Sequence, residues 1–325
     1  MTDRELDSFT PGDWGLLVTL ALIWGSSFLF IEIGLDHFTP AQIAFLRLAL
    51  GTGALALVPS SRRRVERKAW SGLALLGLLW MGIPFLLFPL AQQWIDSSLA
   101  GMLNGGVPLW AALVATLVAR RLPPRGVLAG LAAGFVGIVL ISLPTLDTQG
   151  STALGAGMIV LATVFYGVSL NLAVPLQRRY GSLPVMLRAQ LVGTLFTLPF
   201  AAAGLPSATF GWDSIAAVSA LGILGTGIAL AMMATLAGRV GAARGSIAIY
   251  LVPIVAIALG VLLRGETVAG LALVGTGLVI AGAYITSRAQ RATVSGEDTA
   301  EVVVTDGGAI LALDQPPTVG AETRR

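Results

Sequence analysis

Ten membrane-crossing helices, built as two inverted-topology five-helix repeats, make up the all-α integral membrane fold that this sequence predicts. Three observations predict it. The first is composition: of 325 residues, 55% are hydrophobic and only 11% charged, with a mean hydropathy of +0.85, whereas a soluble domain carries roughly a quarter charged residues. The second is run length. The apolar runs are about twenty residues long, enough to cross a hydrocarbon core of about 30 Å as helix, and the shorter alternating strands of a membrane barrel are absent. The third is an internal echo: Leu22-Ile23-Trp24-Gly25-Ser26-Ser27-Phe28 returns as Val164-Phe165-Tyr166-Gly167-Val168-Ser169-Leu170. Trp24 matches Tyr166, Gly25 matches Gly167 and Ser27 matches Ser169, all 142 positions apart.

Taken in order, residues 1–13 form an acidic tail (Asp3, Glu5, Asp7, Asp13). No small-residue cleavage site follows the first apolar run, so that run reads as a retained helix. The expected spans are Trp14–Gly34, Ala41–Val58, Trp70–Leu90, Leu99–Ala119 and Val127–Leu143, a first repeat over 14–143. Ala153–Val174, Pro184–Gly204, Ser214–Leu236, Ser246–Leu263 and Val268–Ser287 make a second over 153–287. Residues 288–325 are polar apart from Ala309–Leu313 and are expected to form a disordered cytoplasmic tail.

The connections set the orientation. Arg62, Arg63, Arg64, Arg67 and Lys68 follow the second span, Arg120, Arg121 and Arg125 the fourth, and Arg178 and Arg179 the sixth. Arg239 and Arg244 follow the eighth, Arg288 and Arg291 the tenth. The alternate connections hold no Lys or Arg except Arg264. The positive-inside rule then places both termini in the cytoplasm of a multi-pass protein of the cell (inner or plasma) membrane.

The echo continues past the first pair. Trp70 matches Trp212 at 142, Arg47 matches Arg188 at 141, and Gly77, Pro108, Gly130 and Gly137 match Gly222, Pro253, Gly275 and Gly282 at 145. A near-constant offset over half a chain marks a repeat. Five spans per half is an odd number, so the second half enters the membrane inverted. Inverted repeats supply a midplane site and two mirror-related conformations for alternating access.

With Trp24-Gly25-Ser26-Ser27-Phe28, Phe45-Leu46-Arg47 and Val252-Pro253 leading to Gly265-Glu266, the chain resembles the EamA-like branch of the drug/metabolite transporter superfamily over about Trp14 to Ser287. That resemblance implies a ten-helix carrier of small metabolites, often amino acids or related compounds. One departure stands out: Arg120-Arg121 occupies the place where the first half of such proteins usually carries a Gly-Glu.

Arg47 and Arg188 are cations inside predicted spans, costly unless they snorkel, pair or face a cavity. Arg47 lies about seven residues into its span, Arg188 nearer the opposite face. Since a guanidinium fork suits a planar anion, both are candidates for substrate binding or gating, against snorkelling or clamping of carbonyls. Glu32 shares a helix face with Trp24 and Phe28. It is expected to pair with Arg47 or to carry a coupling proton, against a solvated interfacial role. Asp96 and Glu266, in connections, read as solvated.

Asn104 is a further candidate, because Gly105, Gly106 and Pro108 loosen its helix and free backbone carbonyls. Tyr250 and Pro253 are its counterpart in the ninth span. Pro108 and Pro253 are thus expected helix breaks, and matched breaks point to a midplane site. Trp24, Trp80 and Tyr250 are candidate lining residues, and Pro84 and Pro89 predict a bend in the third span. Ser26, Ser27, Gln42, Thr163, Asn171, Gln190 and Ser246 read as bonds between helices before substrate contacts.

Cysteine is absent, which excludes disulfides and thiolate sites. An intramembrane enzyme would need a His-Glu metal motif, a paired aspartate or a Ser-His couple, and the one histidine, His37, sits in a short loop. No nucleotide-binding Gly-x-x-x-x-Gly-Lys loop is present, and no channel filter is evident. The chain therefore reads as a secondary transporter, an exporter of a small metabolite such as an amino acid or related zwitterionic or anionic compound. A multidrug efflux carrier and a membrane scaffold or sensor without transport are the alternatives. The expected partners are a small-molecule substrate, the lipid bilayer and a coupling proton. No nucleic acid, cofactor or metal is implied, and the residues set no oligomeric state.

Overall fold

Thr10-Pro11 and Thr39-Pro40 each set a hydroxyl at a helix N-cap and a proline in the first turn, where its missing N–H is not needed. Asp13 and Gln42, three residues on, return a bond to the cap and complete a capping box. The helices begun this way are α1 (Pro11–Leu35) and α2 (Pro40–Ala56). After them come α3 (Arg67–Ala91), α4 (Ser97–Ala119), α5 (Arg125–Leu146), α6 (Gly150–Tyr180) and α7 (Ser182–Ala203). α8 (Trp212–Val240), α9 (Ile247–Arg264) and α10 (Gly270–Asp306) complete the chain. The computed structural model describes residues 10–120, 122–146, 150–205, 209–240, 245 and 247–306, with side chains to Ala289. Asp3, Glu5, Asp7, Arg121, Arg244, Ser246 and Ala309–Leu313 lie outside the described residues, as does the side chain of Arg291.

Among the described residues nine helices are long and apolar enough to cross a membrane, and α2, at 17 residues, is a shorter apolar one. Seventeen residues span about 25 Å, so α2 fits as the thinnest crossing. α10 continues as helix to Asp306, into the stretch where the sequence suggests an irregular tail. One end of the bundle, the arginine end, carries Arg62–Lys68, Arg178, Arg179 and Arg239. The other, the acidic end, carries Asp36, Asp96, Asp213 and Glu266.

The contacts obey the repeat. α1 packs on α9 and α6 on α4; α2 packs on α8 and α7 on α3; α2 with α7, α4 with α9 and α5 with α10 are pairs that map onto themselves. Single glycines show the same mirror. Gly25 has no room for a Cβ against Val255, and its match Gly167 has none against Trp110, which corresponds to Val255 at 145. In the α5–α10 seam a Cβ on Gly137 would stand 2.5 Å from the Gly275 carbonyl oxygen, and one on Gly275 would stand 2.6 Å from that of Gly137. Gly130 and Gly282 make the matching contact. The seam thus brings two backbones together where side chains would hold them apart.

Two helices widen to π-helix at corresponding places, α3 over Gly77–Gly82 and α8 over Leu221–Ile228. In α3 the turn precedes Pro84, whose missing N–H removes a bond of the ladder. α4 breaks at Gly105–Gly106 between the half-helices Ser97–Asn104 and Val107–Ala119, with Pro108 in the first turn of the second. Pro253 behaves differently from expectation. Helix runs unbroken over Ile247–Leu259, and α9 changes only later, to a π-turn at Gly260–Arg264. The ring of Pro253 packs over Gly105 of the broken helix, at 2.9 Å from where a Cβ would be, so a side chain at 105 would crowd it.

Candidate functional site

The main cavity, about 670 Å³, runs between the two repeats. It reaches Gln177, Ser182 and Ala237 at the arginine end and stops at Phe28, Ile31 and Phe88 toward the acidic end. It gathers Trp24, Arg47, Trp80, Asn104, Pro108 and Tyr250, six of the residues singled out from sequence. Arg188, Glu32 and Pro253 are not among its lining residues.

Arg47 reaches the cavity from α2. Its Nε donates to Thr226 Oγ1 at 2.9 Å, and its guanidinium carbon lies 3.9 Å from the centre of the Phe85 ring, a cation–π contact. Among the described residues this is the hydrogen bond that Arg47 makes, through Nε, and no carboxylate lines the cavity. The fork therefore faces an apolar, aromatic space with its bidentate edge unused.

The π-turn of α8 explains the rest of this wall. A widened turn shifts carbonyls out of the helical ladder, and two of them are taken by side chains from other helices. Trp24 Nε1 donates to the Gly225 carbonyl at 3.2 Å, and Gln190 Nε2 donates to that of Thr226 at 3.0 Å. Trp24 is thus fixed by its polar edge while its ring faces the cavity. Asn104 stands at the end of the first half of α4 and makes no hydrogen bond among the described residues. Tyr250 OH lies 2.6 Å from Ser287 Oγ and donates to the Ala283 carbonyl, so α9 is tied to α10.

The acidic end is closed in layers. Phe28, Phe88 and Tyr166 pack ring to ring at 5.7 and 5.9 Å. Beyond them Gln92 Nε2 donates to the Phe28 carbonyl at 2.8 Å. Glu32 then pairs with Arg264, at 2.9 Å, and not with Arg47; Arg264 also reaches Asp36 at 3.6 Å. The expected Glu32–Arg47 pair fails because Arg47 points into the cavity while Glu32 faces α9 below its floor. Among the described residues Glu32 Oε2 is buried without a hydrogen-bond partner. A separate vestibule of about 570 Å³ lies outside this plug, lined by Glu32, Asp36, His37 and Arg264.

Glu266 is no solvated loop residue either. Its carboxylate accepts from the Ser97 and Ser98 backbone N–H groups at 3.0 and 2.9 Å and from the Ser97 hydroxyl. Burial pushes its pKa up, but these hydrogen bonds outweigh burial and hold it below the usual carboxylate range. Asp96, at the N-cap itself, makes no side-chain cap bond, and burial followed by the nearby Glu266 charge raises its pKa.

Arg188 is occupied with backbone: it donates to the carbonyls of Ser61, Pro184 and Arg63 at 3.1, 2.9 and 2.7 Å, clamping the turn after α2. Ser26 and Ser27 bond back to the Ile23 carbonyl of their own helix instead of bridging to another. Sequence reasoning missed Thr226, Phe85 and Tyr166 as wall residues. The one signal for Thr226 was the Gly77–Gly222 match, which marks both π-turns.

The comparisons with known proteins agree with this architecture. The model of the EamA-like transporter family matches residues 13–143 and 153–288, one match per repeat. A probable terminal-alkyne amino-acid exporter of Streptantibioticus cattleyicolor is 29% identical over 282 residues, covering 85% of this chain and 93% of the relative. A probable amino-acid metabolite efflux pump of Salmonella typhimurium is 25% identical, covering 84% and 94%. An inner membrane transporter of Escherichia coli is 26% identical, covering 82% and 88%. A crystal structure of a protein with 18% identity superposes with a TM-score of 0.60 over 87% of this chain and 99% of its own, a likeness of fold. With the family model matching both mirrored halves, the chain belongs to the EamA-like transporter family.

Proposed function

We propose that the protein is a secondary exporter that moves a small zwitterionic or anionic metabolite, of amino-acid type, out of the cell by alternating access. The observation that carries this reading is the main cavity: blind at the acidic end, reaching the arginine end, and holding one unneutralised guanidinium fork. With the arginine end in the cytoplasm, this is the conformation that loads substrate from inside. Arg47 takes the substrate carboxylate by two N–H bonds, Asn104 takes its polar head, and Trp24, Trp80 and Tyr250 enclose the remainder. The names of the relatives from Streptantibioticus and Salmonella support an amino-acid-like cargo. Glu32, half-buried with one free oxygen at the plug, is the site for a coupling proton.

Cells overexpressing the protein should resist toxic amino-acid analogues and retain less of them. Resistance to cationic drugs with no effect on the analogues would favour multidrug efflux. No change with any compound in a panel of analogues, nucleosides and drugs would leave a scaffold or sensor.

A further inference from the structure

Helices α4 and α9 end alike. Arg120 and Gly265, 145 positions apart, are each a C-cap in the left-handed region, with φ 51° and 68°. Among the described residues Arg120 is the only non-glycine with positive φ. The residues immediately after the two caps are of opposite charge. After Gly265 comes Glu266, whose carboxylate turns onto the N-terminus of α4 and neutralises two unpaired N–H groups there. Gly260 leaves the room this needs, since a Cβ at that position would overlap the carboxylate. After Arg120 the sequence carries Arg121, which has no acceptor and the wrong sign for a helix N-terminus.

We propose that Glu266 latches the acidic end: it positions the half-helix Ser97–Asn104 and holds that end shut, a contact that the sequence after Arg120 does not repeat, since an arginine there has no acceptor for helix N–H groups. The inference rests on the alternating-access reading. Two identical inverted halves would make the two conformations equal in energy; a contact that the other half cannot copy skews them, set against the Asp13–Arg239 and Glu66–Arg179 ion pairs that join the repeats at the arginine end. The half-helix has eight residues and is freed at its other end by Gly105–Gly106. Whatever holds Ser97 and Ser98 therefore sets where Asn104 stands in the cavity. Glu266 is accordingly a positioning residue, acting through α4.

The chain holds no cysteine, so single introduced cysteines report sidedness without background. Ile31→Cys sits in the buried cavity floor, and Ala234→Cys lines the cavity toward the arginine end. An impermeant maleimide added outside cells should leave Ile31→Cys unmodified. Adding Glu266→Gln should raise that labelling about fivefold or more, the scale of losing one charge-assisted hydrogen bond. Labelling of Ala234→Cys from inside, measured in inverted vesicles, should fall at the same time, and Glu266→Asp should restore both. Unchanged labelling in an inserted, monodisperse Glu266→Gln protein overturns the proposal. So does a joint rise at both cysteines, which reports general loosening where a population shift moves them in opposite directions. No substrate enters this test, so a wrong cargo assignment would leave its outcome standing.

Discussion

Arg47 Nε and Thr226 Oγ1 meet at 2.9 Å, and this bond holds the guanidinium by its inner nitrogen while the outer fork stays open. The arrangement leaves a cation in an aromatic cavity with no carboxylate on its walls. Such a cation costs the folded protein stability, a cost that the proposed substrate carboxylate would offset.

Arg47→Met should therefore raise the unfolding temperature in detergent and abolish transport. Arg47→Lys keeps the charge without the fork and should raise KM about tenfold. Transport at the parent rate in Arg47→Met would return the residue to a structural role.

Trp24→Phe keeps an aromatic, if smaller, ring and removes the donor to the Gly225 carbonyl. The orphaned acceptor should cost about 1–2 kcal/mol, read as a lower midpoint in thermal unfolding. An unchanged midpoint would mean that the π-turn of α8 does not need this partner.

Gly137→Ala and Gly275→Ala should destabilise by similar amounts, about 1–3 kcal/mol each, because each Cβ meets the other helix's backbone at nearly the same distance. Gly157→Ala and Gly277→Ala, with open space around them, should be neutral or slightly stabilising. Unequal costs within the first pair would count against the two-fold seam.

Glu32→Gln should leave the fold intact and remove the response of transport to an imposed pH gradient. A variant that still tracks the gradient would place proton coupling elsewhere.

Glu266 has its folded pKa lowered, so the stability it contributes is complete above its unfolded value of about 4.3 and is lost as pH falls through the lower folded value. The unfolding midpoint should drop as pH falls below about 4, and Glu266→Gln should flatten that drop. Parallel pH curves for the two proteins would show that the cap adds nothing.

Much of the fold was legible because its physical demands fall on residue types. Glycines at 130, 137, 275 and 282 stand where backbones touch, and no other residue fits; arginines gather at one end. Arg47 was legible as a cation in a greasy helix. The partner of Glu32 was not, since which helix its face meets depends on the order of ten helices around a bundle. Glu266 was unreadable for the same reason: it caps a helix 169 positions away. Pro253 misled because a proline removes one bond of its own helical ladder, and α9 continues through that loss.

The seam of α5 and α10 has a mechanical meaning. Among the described residues no residue of α5 and only Ser287 of α10 lines the cavity, so this pair stands almost wholly outside its walls. At its closest points this contact is made by glycine backbones, with Thr286, Val279 and Ile141 packed beside them, so the two helices are held at one short spacing. Under the proposed alternating access, the seam would serve as the axis about which the halves pivot. Probes fixed across Gly137 and Gly275 would then keep their spacing while probes across the cavity walls change theirs.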